Sequence, residues 1–467
     1  MGLYAATIFL SAFLLFGVQP MLGRYILPWF GGVPAVWTTC MLFFQVCLVG
    51  GYFYSHGLIS RLSPRNQGRV HLGVLIVSLL LLPVTPSASW KPTVAGDPTL
   101  RILLLLASTV GLPYLVLSTT GPLVQGWFAR AYPGRSPYRL YSLSNIGSLL
   151  ALITYPLVTE RWLKLNPQTY VWSAGYALFA VLCGALALGV SRRADQAAED
   201  EAADQREIAG EEVPPPSLVT ILYWLALAAC GSWLLLATTN QLCQDVAVVP
   251  FLWVAPLSLY LLSFIICFDK EQWYHRIVYG TLLAVSVVLG TLLLKGGLSV
   301  SIIYQIPAYC FIMFVGCMTA HGELVRMKPA ARHLTLFYLM VSVGGALSGV
   351  AIALLAPRWF SGFYEYQIGL VGSWLLFTAV LARETYLRMR SGEIGGSEST
   401  TRVLFLATCA LLGSAVGYNL LGQARRDDLD VLAQKRNFYG VLRVIEWDKG
   451  KETHKYSLRH GRILHDF

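Results

Sequence analysis

Charge is scarce in this sequence. Lys, Arg, Asp and Glu together make up 13% of the 467 residues, whereas soluble domains average about 25%. This shortage excludes an ordinary cytosolic enzyme. The net charge of +10 comes from Lys and Arg scattered through short loops and the end of the chain, with no basic stripe interleaved with aromatic residues. We therefore predict no nucleic-acid partner.

Catalytic and metal-binding motifs are also missing. The sequence has no GxGxxG after a strand, no GxSxG, no Walker lysine loop and no HExxH. Its nine cysteines form no CxxC pair and lie in or beside apolar runs, where free cysteine behaves as a small buried hydrophobe. The sequence predicts no metal, no cofactor and no catalysis by this chain alone.

Long apolar runs dominate what is present. Thirteen runs approach or exceed the length of about 18 residues that crosses the hydrocarbon layer as a helix. They predict an all-α polytopic membrane protein, with the lipid bilayer as its surroundings. The predicted spans are 3–23, 34–56, 69–86, 101–122, 139–158, 170–190, 217–239, 247–267, 276–295, 298–319, 333–356, 367–386 and 402–422.

An acidic segment divides these spans into two groups of six, followed by one more. It carries eight acidic residues and ends in three prolines, a composition typical of a disordered linker. Two six-helix halves are the organisation of major-facilitator-like transporters. The predicted parts are a first half at 1–193, the linker at 194–216, a second half at 217–390, a thirteenth span at 391–422 and a tail at 423–467.

The distribution of basic residues predicts the orientation. Alternate loops hold seventeen Lys and Arg on one side of the membrane and seven on the other, and basic loops stay on the cytoplasmic side. We therefore expect a multi-pass protein of the inner (plasma) membrane with a cytoplasmic N-terminus. With thirteen spans, the tail from Gly422 lies on the outer face.

Four polar residues are candidate solute contacts. Asp245 and Gln241 follow the seventh predicted span, and Gln19 aligns with Gln241 at a repeat offset of 222 residues. Intramembrane polar groups are costly unless they pair or line a cavity, so Asp245 is a candidate cation or proton site. The alternative is that residues 241–245 form a solvated turn without function. Asn145 lies among small residues, where helix packing is the alternative to solute contact.

A cluster of charged residues follows the tenth predicted span. Because charges of both signs occur together there, we expect a solvated loop that sets the topology rather than a metal site. The cluster comprises His321, Glu323, Arg326, Lys328, Arg332 and His333.

The tail has a β-type composition. β-Branched and aromatic residues from Asn437 to Trp447 are followed by turn residues, which predicts a short β-hairpin. A hairpin alone is at best marginally stable in water, so this tail needs more chain or a partner.

Several motifs resemble a known family. The chain is similar to bacterial fused proteins that join a major-facilitator-like membrane region to a spermidine-synthase-like domain. The matching segments extend over most of the chain: 9–16, Val18-Gln19-Pro20, 26–32, Ala35-Val36-Trp37-Thr38-Thr39, 244–253, His321-Gly322-Glu323-Leu324, Phe337-Tyr338, 344–347, and 436–444.

The resemblance implies an aminopropyltransferase-like domain after the membrane part, beginning with a small β segment. Only the start of that segment is present. Residues 458–465 look like the family's second strand, but Asp466 stands where a glycine is usual and the sequence stops at Phe467. The glycine-rich decarboxylated-S-adenosylmethionine site and the catalytic aspartate have no counterpart in this sequence, so synthase activity does not carry over. The loop from Gly57 to Arg69 is basic, but it lacks the acidic residue of the usual major-facilitator signature.

Two functions remain open from the sequence. The first is a transporter-like membrane protein that moves a small cationic or polyamine-like solute by alternating access. Its candidate contacts are Asp245, Gln241, Gln19 and Asn145. The alternative is a membrane anchor or scaffold for a spermidine-synthase-like domain that is absent from this chain or separately encoded.

Overall fold

A computed structural model of the protein describes most of the chain. The described residues are 1–92, 96–132, 138–201, 215–245, 251–296, 300–329, 333–426, 431–448, 452, 454–460 and 463–466. Within these ranges, helices account for nearly all of the membrane part and strands occur in the tail.

Thirteen principal helices follow one another along the described chain. They are α1 (Gly2–Ile26), α2 (Pro34–Arg61), α3 (Pro64–Leu79), α4 (Thr99–Ala131), α5 (Tyr138–Thr154), α6 (Leu165–Glu201), α7 (Leu218–Asp245), α8 (Phe251–Asp269), α9 (Arg276–Gly296), α10 (Ile302–Arg326), α11 (Leu334–Trp359), α12 (Glu365–Arg390) and α13 (Gly396–Arg426).

Twelve helices in the described ranges are long and apolar enough to cross a membrane. They correspond to twelve of the thirteen predicted spans. The remaining one, α3, has 16 residues, which is below the length that crosses the hydrocarbon layer without help. It begins at Pro64, earlier than the predicted residue 69, because proline is favoured in the first turn of a helix. Helix α6 continues to Glu201, past the predicted start of the linker.

Among the residues that the structure describes, three segments of π-helix interrupt the regular hydrogen bonding. They lie at Ala107–Gly111 within α4, at Tyr155–Thr159 after α5, and at Ala351–Leu355 within α11. Pro156 lies inside the second segment, and Pro113 closely follows the first. Proline lacks the backbone N–H that an α-helical bond requires, so a wider turn re-forms the ladder around it.

The chain forms two compact units. The first comprises Met1–Gly32, Thr39–Ile221 and Lys328–Ala346, and the second comprises Val33–Thr38, Leu222–Met327 and Leu347–Phe467. The first turn of α2 belongs to the second unit, and the first half of α11 belongs to the first.

Close helix packing in the first unit depends on small residues. A Cβ atom at Gly147 of α5 would lie 2.8 Å from the backbone oxygen of Phe9 in α1. No larger residue fits there without moving the two helices apart. This is the packing alternative that the small residues around Asn145 suggested, since small residues let helices approach closely in lipid.

The tail folds into a four-stranded antiparallel sheet. Its strands, β1 (Val431–Asn437), β2 (Gly440–Trp447), β3 (Lys455–His460) and β4 (Ile463–Asp466), are neighbours in chain order. The predicted hairpin, with its turn after Trp447, is the β2–β3 pair, and β1 and β4 extend it on either side. At the turn between β1 and β2, the Asn437 side chain accepts hydrogen bonds from the backbone N–H groups of Tyr439 and Gly440 at 2.9 and 3.2 Å. Gly440 has a φ of +143°, which favours glycine.

Candidate functional site

Gln19 is buried in the first unit. It lies on α1 with 3% of its surface exposed, and its amide nitrogen donates a hydrogen bond to the Tyr114 hydroxyl at 3.0 Å. Its carbonyl oxygen Oε1 is buried without a hydrogen-bond partner. An unpaired buried acceptor is costly, so this oxygen is an available contact for a cationic or hydrogen-bond-donating group.

Asn145 lies in the same unit but at a different depth. Its amide nitrogen Nδ2 is buried without a partner. Because Gly147 packs against Phe9, Asn145 lies near the level of residue 9 of α1. Gln19 is ten residues further along, which is about 15 Å at 1.5 Å per residue. The structure therefore does not bring Gln19 and Asn145 together.

The two candidates of the second unit lie at the end of α7. Residues 241–245 are helical, so they form the last turn of α7 and not a turn between helices, the alternative reading of this segment. Gln241 is half-buried. The backbone of Asp245 ends α7, but its side chain lies outside the described residues.

In the second unit, the motif at residues 35–39 contacts Asn240, the neighbour of Gln241, and the motif at residues 244–253. The Thr38 hydroxyl donates a hydrogen bond to the Asn240 side-chain oxygen at 2.7 Å. The rings of Trp37 and Trp253 stack with their centroids 4.7 Å apart. All four side chains are buried, so the first turn of α2 is fixed to the end of α7 and the start of α8.

A buried carboxylate that the sequence analysis assigned to a solvated loop forms a polar centre of the second unit. Glu323, in the last turn of α10, has 1% of its side chain exposed. It accepts hydrogen bonds from the Tyr274 hydroxyl at 2.8 Å and from Arg276 Nε at 2.6 Å. Arg276 also pairs with Glu384 of α12, which in turn pairs with Arg388. Three helices therefore share one charge network.

The prediction of a solvated loop is therefore wrong for His321 and Glu323. His321 and Glu323 are buried in α10, which ends only at Arg326. His321 Nδ1 lies 2.8 Å from the Ser263 hydroxyl, and its ring stacks on Phe264 at 3.7 Å between centroids. The charge of Glu323 is tolerated in the helix because Arg276 neutralises it. Arg326 is exposed, as expected for the end of a span.

A cavity of about 240 Å³ lies beside this network. Its lining includes Tyr274, Gly322 and Arg326. Burial and the adjacent Glu323 carboxylate raise the pKa of the Tyr274 phenol above its ordinary range, so this side chain stays a neutral hydrogen-bond donor. Together, Tyr274 and Arg276 surround the Glu323 carboxylate at the end of α10 with hydrogen-bond donors.

Metal ligands do not converge in the described residues. No group of three or more His, Cys, Asp or Glu side chains there is arranged to hold a metal ion. All nine cysteines are free, and six of them are buried.

Solved structures with similar folds identify the architecture. A peptide transporter of the POT family, a point mutant in complex with alafosfalin, matches with a TM-score of 0.53 at 16% identity, covering 82% of this chain and 93% of that one. The xylose transporter XylE from E. coli, in a partially occluded inward-open conformation, matches with a TM-score of 0.51 at 12% identity, covering 80% and 97%.

The membrane part has a major-facilitator-type fold. The major-facilitator proton:xylose symporter XylE bound to 6-bromo-6-deoxy-D-glucose gives the same result, with a TM-score of 0.50 at 13% identity over 80% of this chain and 94% of that one. No protein-family model and no curated protein matches the chain. The neighbours therefore support the membrane part of the resemblance and give no support to its spermidine-synthase-like part.

Proposed function

We propose that the protein moves a small cationic or polyamine-like solute across the inner membrane. The single observation that carries a transport function is the major-facilitator-type fold, which matches sugar and peptide transporters over about 80% of the chain. Asp245, Gln241, Gln19 and Asn145 are the proposed solute contacts.

The cationic class is argued from the oxygen atoms at these positions. Asp245 supplies a carboxylate at the end of α7, and Gln19 supplies a buried carbonyl oxygen that lacks a partner. Both groups favour a positively charged or hydrogen-bond-donating solute. Because Gln19 and Asn145 lie at different depths, they would contact the solute at different points along its path or contact the two ends of an extended polyamine.

Uptake of labelled spermidine by reconstituted vesicles tests the residue assignments. Asp245→Asn removes the carboxylate charge and keeps the shape, so we expect uptake to fall at least tenfold. Asp269→Asn at the exposed end of α8 is the matched control and should transport like the original protein. Equal uptake by both variants would remove Asp245 from the proposal.

The anchor or scaffold function is the second candidate. One observation favours it: a buried ion pair between Arg436 of β1 and Glu365 of α12 holds the tail sheet against the membrane part. A fixed sheet could position an extramembrane partner. Specific capture of a separately encoded spermidine-synthase-like protein by the purified chain, lost after removal of residues 431–467, would favour this function over transport.

The orientation also belongs to this proposal. With α3 counted as a crossing helix in spite of its 16 residues, the excess of Lys and Arg in alternate loops supports a cytoplasmic N-terminus and an outer tail. Reporter enzymes that work on only one side of the membrane, fused to each end in turn, should report opposite sides. The same side for both ends would contradict the arrangement.

A further inference from the structure

The start of α12 holds an arginine from the tail in a socket of three groups. One guanidinium nitrogen of Arg436 donates to the Gly362 backbone oxygen at 2.6 Å, and another donates to the Glu365 carboxylate at 2.5 Å. The guanidinium carbon lies 4.3 Å from the centre of the Phe363 ring. Arg436 and Glu365 expose only 4% and 3% of their side chains. We call Gly362, Phe363 and Glu365 the arginine socket.

The socket has the chemistry of a site for organic cations. A carboxylate, a carbonyl oxygen and an aromatic face are the groups that recognise a guanidinium or ammonium. The site is also rigid, because the Trp233 indole nitrogen donates to the Glu365 backbone oxygen at 2.7 Å. A rigid, water-excluded carboxylate binds a cation more strongly than a solvated one.

A second feature beside the socket is an amide without partners. Both polar atoms of the Gln434 side chain are buried and unpaired. Gln434 precedes Arg436 by two residues on β1, so both side chains project from the same face of the sheet. Its amide nitrogen would lie 3.1 Å from a Cβ atom at Gly362. A polar ligand that entered here would satisfy this amide as well.

We propose that the arginine socket is a binding site for an alkylguanidinium or alkylammonium cation, and that Arg436 occupies it as a tethered competitor. A free cation would displace Arg436 from Glu365 and so release β1 from α12. None of these residues is among the proposed solute contacts. A failure of cation binding at the arginine socket would therefore not affect the transport proposal, and cation binding can be measured without transport.

Thermal unfolding of the full-length protein in detergent, with agmatine as the probe, tests the proposal. Arg436→Ala empties the socket, so agmatine should raise its apparent melting temperature in a concentration-dependent way. The original protein should respond only at much higher concentrations because Arg436 competes. Arg436→Ala combined with Glu365→Gln should not respond. N-Butylurea, which is planar but uncharged, should stabilise none of them.

Arg443→Ala is the matched control, since Arg443 is paired with Gln434 across β1 and β2 and projects from the same face of the sheet. It removes an arginine from that face without emptying the socket, so agmatine should affect it as it affects the original protein. An equal agmatine shift with and without Glu365, or no shift for a folded Arg436→Ala variant, would overturn the proposal.

A second measurement needs no variant and covers the case in which Arg436→Ala does not fold. Agmatine displacing Arg436 in the original protein should speed trypsin cleavage after Arg425 and Arg426, the last two residues of α13, whereas N-butylurea should not. Cleavage rates that are identical with the two compounds would contradict the displacement.

Discussion

The ring of Tyr274 lies directly on the backbone of Gly322. A Cβ atom at position 322 would lie 2.3 Å from the ring, and this proximity lets the Tyr274 hydroxyl reach the neighbouring Glu323 carboxylate at 2.8 Å. This contact explains the glycine in the motif His321-Gly322-Glu323. A residue without a side chain at position 322 leaves space for Tyr274, which donates a hydrogen bond to the Glu323 carboxylate.

Gly322→Ala should therefore destabilise the second unit. The methyl group would push Tyr274 off Glu323, and overpacking of this kind costs about 1–3 kcal/mol. Thermal unfolding in detergent should show a clearly lower midpoint for this variant. Gly372→Ala in α12 is the control, because an added Cβ there meets no atom within 4 Å. Equal midpoints for the two variants would contradict the packing of Tyr274 on Gly322.

Glu323→Gln should destabilise the protein because it leaves Arg276 without its main partner. Breaking a buried ion pair costs about 3–5 kcal/mol, and we expect the low end because Arg276 keeps Glu384. Thermal unfolding in detergent measures the loss. The double variant with Arg276→Gln should cost less than the sum of the two single variants.

Glu398→Gln is the control for this prediction. Glu398 pairs with Arg402 on an exposed face of α13, where such a pair contributes about 1 kcal/mol or less. Additive effects of the Glu323 and Arg276 substitutions would mean that the two side chains do not form a pair.

A similar close approach links Gly231 of α7 with His321 of α10. A Cβ atom at position 231 would lie 2.7 Å from His321 Nε2, so Gly231→Ala should lower the unfolding midpoint. In a His321→Ala background the same substitution should cost little, because the clashing ring is absent. Gly57→Ala, which meets no atom within 4 Å, should be near neutral. A Gly231→Ala cost that persists without His321 would refute the proposed contact.

The spans were predictable from the sequence, whereas the polar network was not. Apolar runs located the helices because length and hydropathy determine what crosses a bilayer. The same method assigned Glu323 to a loop, since a charge marks the end of an apolar run. Its neutralising partner Arg276 is 47 residues away in the chain. One sequence signal could have revealed this ion pair: a charged residue at the start of α9 and another near the end of α10. Because we counted charges loop by loop, these two residues were not considered together.

The tail illustrates the same limit. β-Branched and aromatic residues followed by turn residues predicted the β2–β3 hairpin, because that pairing is local. The position of the sheet depends on Arg436 of β1 and on Glu365, which are 71 residues apart. Neither residue is distinguished by its neighbours in the sequence. A long-range ion pair of this kind follows only from the fold.

Thr38→Val should weaken the attachment of the first turn of α2 to the end of α7 within the second unit. It removes the hydrogen bond to Asn240 and leaves a buried acceptor unpaired, at a cost of about 1–3 kcal/mol. Thr38→Ser retains the hydroxyl and should lose much less. The comparison is made by thermal unfolding of both variants. A Ser variant as unstable as the Val variant would show that the methyl group, and not the hydrogen bond, stabilises this contact.

Transport of a small organic cation is tested most directly by the time course of labelled spermidine uptake into vesicles that contain the purified protein, under an inside-negative membrane potential. We expect spermidine to accumulate above its level in protein-free vesicles. The uptake should saturate with spermidine concentration and collapse when the potential is removed. Uptake indistinguishable from protein-free vesicles, for protein that is folded in the bilayer, would contradict the transport proposal.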